Sequence, residues 1–373
     1  MAILIILACV IKYPAFRYGA EYAASARESV VAAYAREGRW LLVVFLIAIA
    51  VEGLAVIPAV SLVTAGLTMN LLGFRGNDTL VTMAIVVVCS VGLVFGRYKL
   101  LERVSAAFVA LFAVLTLVAT IASVGSLDPG RIAAPFTLSR DNLFFAVAVT
   151  GWMPVGMGGA VFISLWVRAK SEVLGRSLTV REARFDFDLA YVATVVLALC
   201  FLLMGTALMF GRGMTLASNS GTFAADLVSL FTQSVGRWIE PVIGVAALAV
   251  MFSTVLAVID GFPRVYADTT RRLLGSGSVL SEDRLYLVYL LVQGLVALVL
   301  LSYLLSSFGV FIDFATTAGF VSAPVIAVLN HRIISSNAVA PADRPPRWLR
   351  LWSACGCAVL TAASVSYLYF RFV

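Results

Sequence analysis

Apolar stretches of about twenty residues recur along the whole sequence and are separated by short polar segments. A helix needs roughly 20 apolar residues to cross a bilayer core that is about 30 Å thick. The chain is 62% hydrophobic and 13% charged, whereas a soluble domain is about 45–50% apolar and about 25% charged. This excess of apolar surface must face lipid, which predicts an all-α polytopic membrane protein.

The apolar stretches predict one transmembrane domain over residues 1–373, because no long polar segment divides them. The segment 221–236 is amphipathic, with Leu227 and Phe231 among its apolar residues, and is interpreted either as a helix along the membrane surface or as an ordered loop. About ten membrane-spanning helices are predicted, at approximately 2–15, 40–64, 80–96, 103–124, 142–167, 186–210, 238–258, 286–304, 310–329 and 351–370.

Lysine and arginine are distributed unevenly between alternate loops. Of the 27 such residues, 21 fall in one set of alternate loops and 6 in the other. Cytoplasmic loops carry an excess of Lys and Arg, so the first set is predicted to be cytoplasmic. The net charge of +7 then reflects topology rather than nucleic-acid binding. Met1 lies outside in this arrangement, which predicts one further helix upstream of it.

The fifth predicted helix contains a segment that opposes helix formation, with Pro154 among the four glycines Gly151, Gly156, Gly158 and Gly159. Proline removes a backbone donor, and glycine weakens a helix. An unwound segment inside a membrane is tolerated where it lines a cavity or is buried in protein. Broken helices of this kind form the substrate site in many secondary transporters. The alternative is a proline kink with close helix packing through small residues.

Two methionines, Met153 and Met157, lie beside this proline. A thioether is a soft ligand that prefers transition metals to Mg²⁺ or Ca²⁺. Met153 is therefore a candidate metal ligand. The alternative is apolar packing, the usual role of methionine in a membrane helix.

Glu52 and Asp313 are candidate functional carboxylates of the predicted membrane helices. Glu52 lies in the middle of the second helix, where an ionisable side chain is costly and marks a functional site. It is interpreted as a proton site or a structural acid. Asp313 begins the ninth helix and is either an oxygen donor or a helix N-cap.

Three further aspartates, Asp186, Asp188 and Asp260, lie at predicted cytoplasmic helix ends. They are candidates for a cytoplasmic gate. The alternative for Asp186 and Asp188 is simple stabilisation of a helix start, because acidic residues are favoured near the positive end of a helix dipole.

Residues for several other kinds of chemistry are missing from the sequence. His331 is the single histidine, so an HExxH zinc site cannot form within the chain, and no Ser/His/Asp set is recognised in the sequence. No phosphate-binding glycine loop indicates an ATP-driven pump. The five cysteines lie in apolar runs and are interpreted as buried packing residues. The sequence predicts a protein that is not an enzyme and has no cofactor.

Five segments resemble the Nramp family of divalent-metal transporters, in a bacterial Nramp-like branch, and the resemblance covers nearly the whole chain. The family shares the LeuT-type fold, an inverted repeat, and has eleven or more helices. The chain resembles the family from its second helix onward, which agrees with the upstream helix predicted from the loop charges. The segments are Ile11–Phe16, Gly151–Pro154, Phe185–Tyr191, Met251–Asp260 and Asp313–Thr317 with Pro324.

The resemblance implies a metal site at the broken helix. Met153 matches the family's sulfur ligand, and the Thr150 carbonyl corresponds to an upstream oxygen ligand. Asp313 and Thr316, with the neighbouring Thr317, stand near a glutamine of the family's site. The family's His-Asn pair after the proline is replaced here by Val155 and Gly156, which weakens the expectation of proton coupling.

The resemblance also implies that Glu52 corresponds to a family carboxylate linked to proton movement through arginines of the ninth family helix. The predicted helix 286–304 contains no arginine, so this proton-linked network is not expected here.

These patterns and the resemblance predict a multi-pass secondary transporter of the bacterial cytoplasmic membrane. Its expected substrate is a divalent cation of the manganese or iron class, moved by alternating access, with protons as a candidate co-substrate. One alternative keeps the fold and changes the substrate to an amino acid or an organic cation. The other is a truncated membrane protein that does not transport.

Overall fold

A computed structural model describes the backbone of residues 1–74, 76–94, 98–127, 140–210, 219–275, 280–304 and 308–372. The regular structure of these residues is helical, as the hydropathy pattern predicts. Thirteen α-helices follow one another in the described ranges: α1 Ala2–Ala26, α2 Val30–Glu37, α3 Arg39–Leu72, α4 Asp78–Val94, α5 Tyr98–Ser123, α6 Arg140–Trp152, α7 Gly158–Leu174, α8 Val180–Leu208, α9 Ser220–Val235, α10 Glu240–Leu274, α11 Glu282–Leu304, α12 Phe308–Ile333 and α13 Arg347–Phe372.

Within the described residues, eight helical stretches are long and apolar enough to cross a membrane. The helix α4 is apolar and shorter, with 17 residues. Many large apolar side chains are exposed on these helices, including Ile3, Ile121 and Leu291. Such surface is stable only when lipid covers it, so the chain is an integral multi-pass membrane protein.

Several helices continue past the residue at which hydropathy alone would end them. The predicted helix 2–15 reaches Ala26, because the charged residues Arg17 and Glu21 pair with each other at 2.8 Å, one helical turn apart. The pair Asp260 and Arg264, at 2.7 Å, supports the extension of α10 in the same way. Charged residues lower the mean hydropathy and therefore suggest the end of a membrane helix. When the charges pair with each other, the helix can continue past them.

The amphipathic segment forms the regular helix α9, and its start is defined by a capping box. The Asn219 side chain accepts from the Thr222 amide at 2.8 Å, which satisfies an amide with no partner inside the helix. Its buried face, which includes Val228 and Phe231, packs on apolar residues of α8 and α10. Phe223 is exposed. The ordered-loop interpretation was therefore wrong, and α9 packs against the bundle through one face.

Close helix packing at glycines brings α1, α3 and α7 into the same core. A Cβ atom at Gly158 of α7 would lie 2.7 Å from Ile49 Cδ1 of α3. A Cβ atom at Gly19 of α1 would lie 3.2 Å from the Ala160 carbonyl carbon of α7. Small residues allow backbones to approach in this way. The result places α1 and α3 beside the interval between α6 and α7.

Candidate functional site

The fifth predicted helix is interrupted at the proline segment. The helix α6 ends at Trp152, and α7 begins at Gly158. The last regular acceptor is Val149, whose carbonyl receives the Met153 amide at 2.9 Å. The next carbonyl, that of Thr150, would accept from residue 154 in a continuous helix, but Pro154 has no amide hydrogen. The interruption therefore leaves carbonyl groups that need donors from elsewhere.

Lys12 of α1 supplies those donors. Its Nζ atom donates to the Thr150 carbonyl at 2.6 Å and to the Gly151 carbonyl at 2.7 Å. The Lys12 side chain is 0% exposed. The carboxyl end of a helix carries partial negative charge, which favours a cation there. A buried ammonium therefore caps the end of α6.

Glu52 of α3 caps the other side of the interruption. The Gly158 amide donates to both carboxylate oxygens of Glu52, at 3.1 and 3.2 Å, and the Ser322 hydroxyl of α12 donates to Oε2 at 3.1 Å. Glu52 is 2% exposed. The amino end of a helix carries partial positive charge and unpaired amides. A buried carboxylate therefore stabilises the start of α7.

The glycines of the interruption give this carboxylate room. A Cβ atom at Gly158 would lie 2.9 Å from Glu52 Oε1 and 2.7 Å from Ile49 Cδ1. A Cβ atom at Gly156 would overlap the same carboxylate. Gly159 is less restricted, with Phe16 Cε1 at 3.3 Å from the equivalent position. Two of the three glycines thus let Glu52 reach the backbone of α7.

The sequence-predicted ligands lie at and beside the end of α6. Met153 is half-buried and packs against the main apolar core. The Trp152 indole donates to the Ala315 carbonyl of α12 at 3.2 Å, and a Cβ atom at Gly151 would lie 2.6 Å from the Thr316 carbonyl oxygen. The structure therefore brings the Thr316 backbone close to Gly151, one of the two residues whose carbonyls Lys12 caps. The side chain of Asp313, also predicted as an oxygen donor, lies outside the described residues.

A cavity of about 380 Å³ opens beside the capped end of α6. Lys12 and Thr150 both line it, and most of its other walls are apolar side chains of α1, α6 and α13, such as Leu7, Val147 and Val359. Of the proposed ligands with described side chains, Thr150 is the one that lines this cavity. The cavity therefore lies beside the carbonyls that Lys12 binds, although Lys12 itself is fully buried.

The three candidate gate residues do not come together. Asp186 forms an exposed ion pair with Lys170 of α7. Asp188 accepts from the Tyr13 hydroxyl of α1 at 2.7 Å. Asp260 accepts from the Tyr286 hydroxyl of α11 at 2.8 Å. Each aspartate of the set therefore links a different pair of helices.

Lys12 and Glu21 are two of the buried charges that the sequence interpretation missed. Lys12 was visible as a lone charge inside an apolar run, and this was the signal that could have identified it. Glu21 is 1% exposed and accepts from Arg17 at 2.8 Å and from Arg184 of α8 at 2.6 Å. Glu21 and Asp188 thus join α1 to α8 at two points.

Among the described residues, no three His, Cys, Asp or Glu side chains cluster in a way that could hold a metal ion. A cation site at the interruption would therefore depend on backbone carbonyls, hydroxyls and the Met153 sulfur. Neutral ligands of this kind bind a cation less tightly than a cluster of carboxylates or thiolates. Weaker binding favours a transported cation, because transport requires release as well as binding.

No protein-family model matches the sequence. An uncharacterized protein of Pasteurella multocida is 29% identical over 339 residues, which cover 90% of this chain and 77% of that protein.

Solved structures of the Eremococcus coleocola manganese transporter are similar over almost the whole chain. A histidine-to-alanine variant matches with a TM-score of 0.71 at 15% identity, covering 98% of this chain and 78% of that one. A glutamate-to-glutamine variant matches with a TM-score of 0.68 at 14% identity, over the same shares of both chains. A complex with an aromatic bis-isothiourea compound matches with a TM-score of 0.62 at 15% identity, covering 97% and 78%. The chain is therefore a multi-pass membrane protein with the LeuT-type transporter fold that the resemblance implied.

Proposed function

We propose that the chain is a secondary transporter of divalent metal cations of the manganese or iron class, acting by alternating access in a bacterial cytoplasmic membrane. The observation that carries this proposal is the interruption between α6 and α7, whose two ends are capped by buried charges from α1 and α3. Discontinuous helices place substrate sites near the bilayer midplane in secondary transporters. The similar solved structures are of a manganese transporter, which favours a metal over an organic substrate.

The proposed cation site lies at the carboxyl end of α6. The Met153 sulfur supplies a soft ligand, which disfavours Mg²⁺ and Ca²⁺ relative to transition metals. The Thr150 carbonyl supplies an oxygen ligand at the negative end of the helix dipole. Thr316 or Asp313 of α12 is proposed to supply the remaining oxygen donor, and the close approach of the Thr316 carbonyl to Gly151 supports Thr316.

Movement during transport is proposed to involve the links between α1 and α8. Asp188 is assigned to a cytoplasmic gate, because its bond with Tyr13 must break if the two helices separate. Asp186 and Asp260 are assigned to separate cytoplasmic gate contacts, formed by their bonds to Lys170 and Tyr286 on other helices. The polar contacts of these residues are partly exposed, so water can replace them when the helices move apart.

Uptake of Mn²⁺ into proteoliposomes containing the full chain tests the function. Met153→Leu keeps the volume of the side chain and removes the sulfur, so it should lower Mn²⁺ uptake and the preference for Mn²⁺ over Mg²⁺. Met251→Leu is the matched control, because Met251 of α10 is also half-buried against the apolar core. Unchanged uptake and selectivity in Met153→Leu would remove the sulfur from the site.

The competing substrates are tested in the same proteoliposomes. Transport of amino acids or organic cations without Mn²⁺ uptake would replace the metal proposal. A folded wild-type chain that moves none of these substrates would instead favour a protein that does not transport.

A further inference from the structure

The Lys12 ammonium makes the contacts that a bound cation would make. It is a positive group held by two carbonyl oxygens at 2.6 and 2.7 Å, at the negative end of a helix dipole. One of these oxygens, that of Thr150, is the oxygen ligand of the proposed transport site. The other, that of Gly151, belongs to the residue that faces Thr316.

An ammonium and a divalent cation compete for these oxygens. Metal–oxygen distances for Mg²⁺ or Ca²⁺ are about 2.0–2.6 Å, so a metal on the Thr150 carbonyl would lie in the space that the Lys12 Nζ atom occupies. The two positive charges would also repel each other strongly in a dry protein interior. Binding of one therefore requires that the other leaves.

The surroundings of Lys12 permit such an exchange. Lys12 and Thr150 both line the cavity of about 380 Å³ beside α6, and this cavity is the space that the Lys12 side chain would enter on leaving the carbonyls. The opposite charge at the interruption, Glu52, is engaged by the Gly158 amide and the Ser322 hydroxyl at the start of α7. Among the described residues no direct hydrogen bond or ion pair joins Lys12 to Glu52, so the exchange breaks the two carbonyl bonds of Lys12 and weakens only its longer-range attraction to Glu52.

We propose that Lys12 determines access to the transport site: its ammonium is a tethered cation that occupies the Thr150 and Gly151 carbonyls, and a substrate cation reaches the Thr150 carbonyl only by displacing it. This inference rests on the proposed function and extends it. It gives the chain an internal competitor that sets how tightly a substrate cation binds.

Equilibrium binding of Mn²⁺ to the purified full chain tests the competition, with unbound Mn²⁺ measured by electron paramagnetic resonance. Lys12→Met removes the ammonium, and Lys12→Gln keeps an N–H donor for the carbonyls without the charge. Both should lower the Kd for Mn²⁺ by about tenfold or more, whereas Lys12→Arg, which keeps the charge, should not. Arg39→Gln is the matched control, because Arg39 also donates to a helix-end carbonyl, that of Leu273 at 2.7 Å, but is exposed.

A second measurement uses the wild-type chain, so it does not depend on the folding of any variant. Saturating Mn²⁺ should increase acetylation of the Lys12 amine by acetic anhydride, read by mass spectrometry, because a displaced amine becomes accessible. The same reaction with Mg²⁺ in place of Mn²⁺ is the reference and should leave Lys12 acetylation unchanged, because the Met153 sulfur disfavours Mg²⁺. Unchanged Lys12 acetylation at saturating Mn²⁺, or a Kd in folded Lys12→Gln equal to that of the wild type, would overturn the proposal.

The outcomes separate this inference from the proposed function. Mn²⁺ uptake by the wild type with no gain of affinity in Lys12→Gln would leave the transport function standing and remove the role of Lys12. A gain of Mn²⁺ affinity in Lys12→Gln without uptake by the wild type would support the role of Lys12 and contradict transport.

Discussion

Lys12 and Glu52 bind the two helix ends that face each other across the interruption. Lys12 binds the end of α6 through the Gly151 carbonyl at 2.7 Å, and Glu52 binds the start of α7 through the Gly158 amide at 3.1 Å. Each charge matches the partial charge of the helix end that it meets. Burying a single charge in a membrane protein is expensive. Here the two helix ends give each charge a complementary partner, so the interruption and the two charged residues stabilise one another.

Removal of the Glu52 side chain, which caps the start of α7, should lower the stability of the folded chain. Glu52→Ala leaves the Gly158 amide and the Ser322 hydroxyl without their acceptor, and a buried unsatisfied group costs about 1–3 kcal/mol. We expect a clearly lower melting temperature of the purified chain. Glu172→Ala is the control, because Glu172 is 73% exposed and lies 3.8 Å from Arg168. A loss no larger than that of the control would mean that Glu52 does not hold α7.

Glu52→Gln separates the two roles predicted for this residue. The amide oxygen of glutamine can still accept from Gly158, so a purely structural Glu52 predicts nearly normal stability and Mn²⁺ uptake. A proton carrier requires an acid, and the variant would then lose any proton flux that accompanies uptake. Simultaneous recording of Mn²⁺ uptake and internal pH in proteoliposomes distinguishes the two.

The sequence predicted the interruption because its causes are local. Pro154 has no amide hydrogen, and the glycines around it weaken the helix wherever they occur. What the sequence did not show is which residues satisfy the freed groups. Lys12 and Gly151 are 139 positions apart, and Glu52 and Gly158 are 106 apart. Such pairs are fixed by how the helices pack, and hydropathy along one helix carries no information about this.

The ends of the membrane helices were also difficult to predict from the sequence, because they depend on contacts between side chains. The charges Arg17 and Glu21 suggested the end of a membrane helix, yet their mutual pairing at 2.8 Å lets α1 continue to Ala26. The three gate candidates were identified as acidic helix-end residues, but their separate partners on α1, α7 and α11 could be found only from the folded chain.

Gly158 should not tolerate a side chain. Gly158→Ala places a methyl group 2.7 Å from Ile49 Cδ1 and 2.9 Å from Glu52 Oε1. Overpacking of this kind costs about 1–3 kcal/mol, and we expect reduced stability together with reduced Mn²⁺ uptake. Gly205→Ala in α8 is a matched control, because nothing lies within 4 Å of the added carbon. It should be neutral or stabilise the chain by roughly 0.4–1 kcal/mol. Equal melting temperatures for the two variants would contradict the close approach of Glu52.

The bond between Tyr13 and Asp188 should couple α1 to α8. A double-mutant cycle of Tyr13→Phe and Asp188→Asn should give a coupling free energy of about 1 kcal/mol or more, because the residues are in direct contact. The exposed pair Lys170 and Asp186 provides the comparison. A cycle of Lys170→Met and Asp186→Asn should give about 0–1 kcal/mol, as surface ion pairs do. Additive effects at Tyr13 and Asp188 would remove Asp188 from the proposed gate.

Glu21 should be the more important of the two links between α1 and α8. It is 1% exposed and accepts from both Arg17 and Arg184, so its removal leaves the buried side of Arg17 without a counter-charge. Breaking a buried ion pair costs about 3–5 kcal/mol of folding free energy. Because Arg184 is 40% exposed, we expect Glu21→Gln to lie near the lower end of that range and to lose about 3 kcal/mol. Chemical denaturation of the chain in detergent measures this loss. The variant Glu182→Gln tests an exposed pair with Arg176 and should cost less. A similar small loss in both variants would show that neutral hydrogen bonds suffice at Glu21, and that the junction of α1 with α8 depends on shape rather than on charge.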